Sequence, residues 1–163
     1  MSEVLASFNE IKREDVRAYI MDVQNRLETL PEVIKPNDPR TPLTHSFCNG
    51  IYCRTIFIPA GMIVVGKIHK HAHHNVLLSG DVSVLTEDGA KRIQGPLHMV
   101  SSAGTKRLLF THTDTTWMTI HPNADNNTDI PSLEDGLVTL TYEEYDKLPK
   151  TEQFIKQIEQ EIV

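Results

Sequence analysis

Cysteine is scarce in this chain. Cys48 and Cys53 are the only two, and their spacing matches neither a zinc ribbon nor a redox CxxC pair. In a reducing compartment they stay thiols and read as packing residues. No apolar run approaches the ~20 residues of a membrane span, and no charged-then-apolar leader opens the sequence. The expectation is a cytoplasmic protein with no membrane partner. Positive charge is also short: 16 Lys and Arg stand against 22 Asp and Glu, a net charge of −6. That balance repels a phosphate backbone and excludes broad nucleic-acid binding. The pairs Lys91-Arg92 and Lys106-Arg107 are local exceptions, suited to a small anion or to solubilising a sheet edge. Internal repeats are absent. What remains is 163 residues, 39% hydrophobic and 23% charged, the size and balance of one domain with its own core.

Histidine is where the chain is rich. Four of its eight histidines fall between Gly66 and Gly80, flanked by apolar strand-like runs. In an extended chain side chains alternate faces, so His69, His71 and His73 share one face and His74 takes the other. Neighbours on a face stand roughly 6–7 Å apart, and with slight curvature two imidazoles reach one metal ion at about 2.0–2.1 Å from each nitrogen. This spacing points to a metal or ligand site rather than a solvated turn.

From Ile11 to Leu30 the positions Val16, Ile20, Val23, Leu27 and Leu30 recur at helical steps, with Asn9 as N-cap and Pro31 as stop. One face of this helix must be buried, on the subunit's own sheet or on a partner. Four prolines between Pro31 and Pro42 make an extended connector. Strands are then expected at 51–58, 62–65, 82–86, 91–94, 97–101, 106–111 and 116–121, with Asp88-Gly89 turning a hairpin. Together with the histidine stretch this makes about eight strands, the spacing of a β-sandwich or barrel. Residues 122–129 read as a polar exit. Thr141-x-x-Glu144 is a capping box for a short helix, and Thr151 caps a last one carrying Phe154, Ile155, Ile158 and Ile162. The expected organisation is a single domain over 1–163: an N-terminal helix (1–31), a β-barrel (44–122) and C-terminal helices (141–163).

The order glycine, strand, histidine cluster, strand, glycine, hairpin, proline, strand, Ala-Gly, strand over Pro59–His121 resembles the cupin superfamily. The strings His45-Ser46-Phe47, Gly50-Ile51-Tyr52-Cys53-Arg54, Ile58-Pro59-Ala60-Gly61, Gly66-Lys67-Ile68-His69-Lys70, Gly104-Thr105-Lys106-Arg107 and Trp117-Met118-Thr119-Ile120-His121-Pro122 resemble small cupin-like proteins of tailed bacteriophages. The resemblance implies a mainly β fold, a double-stranded β-helix or jelly-roll barrel with flanking helices. It also implies a metal site of three histidines and a glutamate, from which this sequence departs. Counting from Gly80, the glutamate position falls on His73 and the histidine pair on Lys67 and His69. Counting from Gly104, the last histidine falls on Arg107, whose guanidinium cannot ligate and repels a bound cation.

Two readings follow. In one, His69 and His73 are joined by His121, which follows Trp117 and Thr119 on one alternating face, with His71 in reserve. Such a set suits Zn, Fe, Mn or Ni, and occupancy should fall through the free-imidazole region near pH ~6.5. In the other, Lys67, Arg107 and the histidines line a cationic pocket for an anionic small molecule. Trp117 either walls that pocket or packs the core. His45, His98 and His112, each alone in its segment, read as hydrogen-bonded or exposed. The chemistry is open among a binder of a metal and/or small anion acting on host metabolism or defence signalling, a metal-dependent oxygenase, isomerase or lyase, and a structural part with a vestigial pocket. The apolar stripes of the terminal helices suggest a homo-oligomer.

Overall fold

The computed structural model describes residues 12–149. Asn9 and the helix expected from Thr151, with Phe154, Ile155, Ile158 and Ile162, lie outside the described residues. Helix α1 (Arg13–Glu28) leads into strands β1 (Leu43–Cys48), β2 (Gly50–Ile58), β3 (Ile63–Val65), β4 (Ile68–His69) and β5 (His73–Ser79). Strands β6 (Asp81–Thr86), β7 (Gly89–Gln94), β8 (Leu97–Ser101), β9 (Leu108–Thr111) and β10 (Thr115–Asn123) follow. Helix α2 (Ile130–Leu137), strand β11 (Val138–Thr139) and helix α3 (Tyr142–Asp146) close the described chain.

All strand pairs are antiparallel. One sheet runs β1-β2-β10-β5-β8 and the other β3-β9-β6-β7. Setting β1 aside, the eight strands from β2 on, without β4 and β11, pair as first-eighth-third-sixth and second-seventh-fourth-fifth. That order is a jelly roll, so the mainly β, cupin-like barrel is present. The alternation that builds it is visible in β5 and β10. His73, Asn75 and Leu77 are buried on one, Thr115, Trp117 and His121 on the other, and residues between them are more exposed.

Leu77, Val82, Val84, Leu109 and Trp117 form the core between the sheets, each buried aliphatic side chain contributing about 1.5–3 kcal/mol. A second cluster packs Val16 and Ile20 of α1 against Leu85 and Ala90, flanked by Val65 and Leu108. Strand alternation puts these on the opposite side of the second sheet from Val82, Val84 and Leu109. The first part of the stripe, Val16 and Ile20, is therefore spent on this subunit's own sheet, whereas Val23 and Leu27 are half-buried and Leu30, past the end of the helix, is exposed. Arg13 and Arg17 clamp the helix further through Glu87, at 2.6 and 2.9 Å.

Several expectations are corrected. The strand expected from Lys106 begins only at Leu108, with the buried Lys106 and the half-buried Arg107 just before it. Cys48 is exposed rather than packed. Strand β10 runs past His121 to Asn123, tolerating Pro122 because its pairing with β5 stops at the Ile120–His74 pair. Helix α2 follows the polar exit of 122–129, in a stretch to which the sequence pattern assigns no element. Its Asp129 side chain accepts from Ser132 N–H at 3.0 Å and Pro131 sits in the first turn. The Thr141–Glu144 capping box is formed. Lys91-Arg92 lies on β7, an edge strand, with Arg92 held to Asp81 at 2.7 Å.

Candidate metal centre

The barrel's first sheet carries the site on its inner face. In register, Phe47 lies opposite Tyr52, Tyr52 opposite His121, and His73 opposite Ser101. Because Ile120 faces His74, the next step sets His121 beside His73. The result is an aromatic row across the sheet: ring centroids are 5.3 Å apart for Phe47 and Tyr52, 6.1 Å for Tyr52 and His121, and 4.9 Å for His121 and His73. One step along the strands a polar row reads His45, Arg54, Thr119 and Asn75, ending on the apolar Met99.

His69 approaches this row from β4. That two-residue strand is pinned by its pairing to β11, by Lys70 N–H donating to the Leu137 carbonyl, and by Gly104 N–H donating to the His69 carbonyl, the last two at 2.8 Å. Gly104 is required there: its φ is +82°, and a Cβ would meet the Tyr145 ring at 2.6 Å. The His69 ring lies 3.8 Å from that of His73 and 5.2 Å from that of His121. One donor nitrogen from each of the three lies within 4.8 Å of the others. Bonds of about 2.1 Å to a common ion place donor nitrogens roughly 3–4 Å apart, so a small contraction of this set suffices.

The donors are in the right state. His73 Nδ1 is engaged with the His71 carbonyl at 3.2 Å, which leaves Nε2 for the cluster. His73 Nε2 and His69 Nδ1 are both buried and without a hydrogen-bond partner, an arrangement that costs about 1–3 kcal/mol per group unless something binds there. Burial holds all three imidazoles neutral, pushing His69 down to about 2 and His73 and His121 to about 4. The charge of Arg107 adds to the effect at His69 and His73, and that of Arg54 at His69 and His121. Neutral imidazole is the ligating form, so the residues fit a divalent ion.

His71 does not join them. The chain bends at Lys70 and His71, which breaks the alternation that would have put His71 on the same face, and its side chain is exposed. His74 does point the opposite way, to the surface. Of the single histidines, His45 Nδ1 meets the Tyr52 hydroxyl at 2.7 Å, His112 meets Ser83 at 2.8 Å, and His98 meets His74.

A cavity of about 900 Å³ opens beside the trio, with His69, Arg54, Arg107, Trp117 and Glu134 on its wall. Arg107 has no carboxylate partner among the described residues. Its Nη2 donates to Ser101 Oγ, and its guanidinium carbon lies 5.7 Å from the Trp117 ring centre. Ser101 Oγ also accepts from Asn75 Nδ2 at 2.7 Å, and Asn75 Oδ1 accepts from Trp117 Nε1 at 2.9 Å. Burial draws the Arg107 guanidinium down to about 10, still charged at neutral pH. Trp117 thus serves core and cavity wall at once. Lys67 is less free: its ammonium lies 3.0 Å from Glu134, which Arg54 also approaches at 3.5 Å. Burial opposes ionisation of Glu134, but the hydrogen bond and charge of Lys67 together with the charges of Arg54 and His45 keep the carboxyl below its ordinary value.

Glu134, Arg54, Asn75 and Ser101 were not read as site residues. Glu134 carried a usable signal, since Asp129 and Pro131 announce the helix that bears it. The others become neighbours only through sheet register.

No family model matches the chain, and no curated protein matches its sequence. Solved structures similar to it include KdgF from a Halomonas species, 13% identical over 56% of this chain and 88% of that one, TM-score 0.46. A cupin superfamily protein from Desulfitobacterium hafniense is 10% identical over 57% of this chain and 88% of its own, TM-score 0.44. Salicylate 1,2-dioxygenase from Pseudoaminobacter salicylatoxidans is 8% identical over 66% of this chain and 30% of that one, TM-score 0.46. Among the described residues no helix is long and apolar enough to cross a membrane.

Proposed function

We propose that this protein binds one divalent transition metal through His69, His73 and His121, and a small anionic ligand beside it on Arg107. The observation that carries this reading is the convergence of three neutral rings, His73 and His121 buried and His69 half-buried at the cavity, with His69 Nδ1 and His73 Nε2 unpaired. Imidazole donors suit Zn, Fe, Mn or Ni. A bound ion would act as a Lewis acid toward an oxygen of the ligand.

The anion follows from charge. Three neutral imidazoles compensate none of an ion's charge, and Arg107 adds one more positive group nearby. The acidic side chains on the cavity wall are Glu28 and Glu134, and Glu134 is engaged by Lys67 and Arg54. A carboxylate or phosphate ligand supplies the missing negative charge and pairs with the guanidinium in its planar fork. Ser101, Asn75 and Trp117 hold that fork in place, so little freedom is lost on binding. Lys67 acts at the rim, its charge already shared with Glu134. An oxygenase, isomerase or lyase activity would have to use the histidines as its bases. The phage-like strings favour a role in the cytoplasm of an infected bacterium, capturing a metabolite or signal.

Arg107→Met, which keeps the stem against Trp117, is expected to abolish the rise in melting temperature caused by millimolar inorganic phosphate or a small dicarboxylate. The same change should tighten Zn²⁺ binding several-fold by removing a repelling charge. A variant that keeps the full anion response overturns the role of Arg107.

Self-association is also proposed, supported by exposed Phe47 and Ile51 on the β1–β2 hairpin. With Val16 and Ile20 of the α1 stripe used internally, the support is narrower than the sequence implied. Light scattering that finds only the 18.5 kDa species at micromolar concentration rules it out.

A further inference from the structure

On the outer face of the first sheet, His74 of β5 and His98 of β8 form a second histidine cluster, separate from the buried trio. Register pairs His74 with Val100 and Val76 with His98, so the two imidazoles are diagonal neighbours on one face of adjacent strands. His74 Nδ1 and His98 Nε2 are 2.9 Å apart, and the ring centroids 5.1 Å apart. Both side chains are exposed, and Val100, directly opposite His74, is 63% exposed. Neither imidazole has a carboxylate partner among the described residues.

We propose that His74 and His98 form an exposed two-histidine site for a late first-row divalent cation such as Ni²⁺, Cu²⁺ or Zn²⁺, with water in the remaining positions. The inference stands independently of the function proposed for the trio. Its warrant is the separation of the two nitrogens. Bonds of about 2.1 Å meeting at right-angle to tetrahedral geometry put adjacent donors about 3.0–3.4 Å apart, so 2.9 Å is close to a ready chelate. In the metal-free pair one ring's N–H lies between the two nitrogens. A cation replaces that hydrogen once the ring shifts to its other tautomer, and both lone pairs then face the ion. Because the strands fix both backbone positions and the rings already meet, little conformational freedom is lost on binding. Single exposed histidines such as His71 lack this second donor. The order of affinity should follow the imidazole preference, Cu²⁺ above Ni²⁺ and Zn²⁺.

The test is calorimetric titration of the full-length protein with Ni²⁺, comparing wild type with His74→Ala, His98→Ala, the double variant and His71→Ala. Circular dichroism controls for folding, and the three substituted side chains are all exposed. Wild type is expected to take up one equivalent that either His74→Ala or His98→Ala weakens tenfold or more. The double variant should do no worse than the singles, since the chelate is already broken, and His71→Ala should bind as wild type does. His69→Ala, which acts on the buried trio, should leave this equivalent in place, so failure of one site is distinguishable from failure of the other. Affinities for that equivalent within twofold of wild type in both single variants overturn the proposal. An equal loss in His71→Ala does so as well, because it would mean scattered surface binding.

Discussion

His69→Ala is expected to empty the buried site of the purified protein, a loss of about 100-fold or more in that site's affinity. The ring it removes stacks 3.8 Å from His73 and 5.2 Å from His121 and is the trio's contribution to the cavity wall. His73→Ala and His121→Ala each leave two imidazoles and should weaken binding about 10- to 100-fold. His74→Ala should leave the occupancy of the buried site unchanged within about twofold. The contrast between His73 and His74 is the sharp part, because the residues are adjacent and strand alternation alone separates them. Metal analysis of each variant, made in a His98→Ala background so that the surface pair takes up none, after growth in metal-supplemented medium and with circular dichroism to confirm the fold, gives the comparison. Equal losses for His73→Ala and His74→Ala, or a metal-free wild type, would leave only the cationic-pocket reading.

Acid should destabilise the metal-free protein over a window that begins at ordinary pH. A free imidazole titrates near ~6.5, whereas burial holds His73 and His121 to about 4 and His69 to about 2. Between those values the unfolded chain binds more protons than the folded one, so stability rises with pH. The contribution of each imidazole is complete above ~6.5 and is lost as the pH falls toward its folded value. By pH 5 the loss is on the order of 2 kcal/mol for each histidine. Metal occupancy follows the folded values instead, so it should persist below ~6.5 and fall near pH ~4–5. This replaces the sequence-based expectation of loss near 6.5, which ignored burial. Melting temperatures recorded from pH 7 to 4.5 check it. A flat profile, or one unchanged in a His73→Ala, His121→Ala double variant, would mean that the rings are not held neutral by burial.

The sequence by itself determined what depends on short range. Helix α1 follows from the spacing of Val16, Ile20 and Val23, and the α3 capping box from Thr141 and Glu144. Most strands follow from apolar alternation between turn residues, and the opposite fates of His73 and His74 from the two-residue period of an extended chain. His121 was reachable too, since it shares that period with Trp117 and Thr119.

Tertiary structure decided the rest. The exclusion of His71 depends on a bend at Lys70 that β4, β11 and Gly104 impose from distant segments. The burial of Arg107, its hold on Ser101, and the pairing of Lys67 with Glu134 join residues up to 67 positions apart. The pairing of His74 with His98 requires the β5–β8 register. No local pattern encodes these, because a side chain's partner, charge state and solvent exposure belong to the neighbours that the closed barrel brings to it.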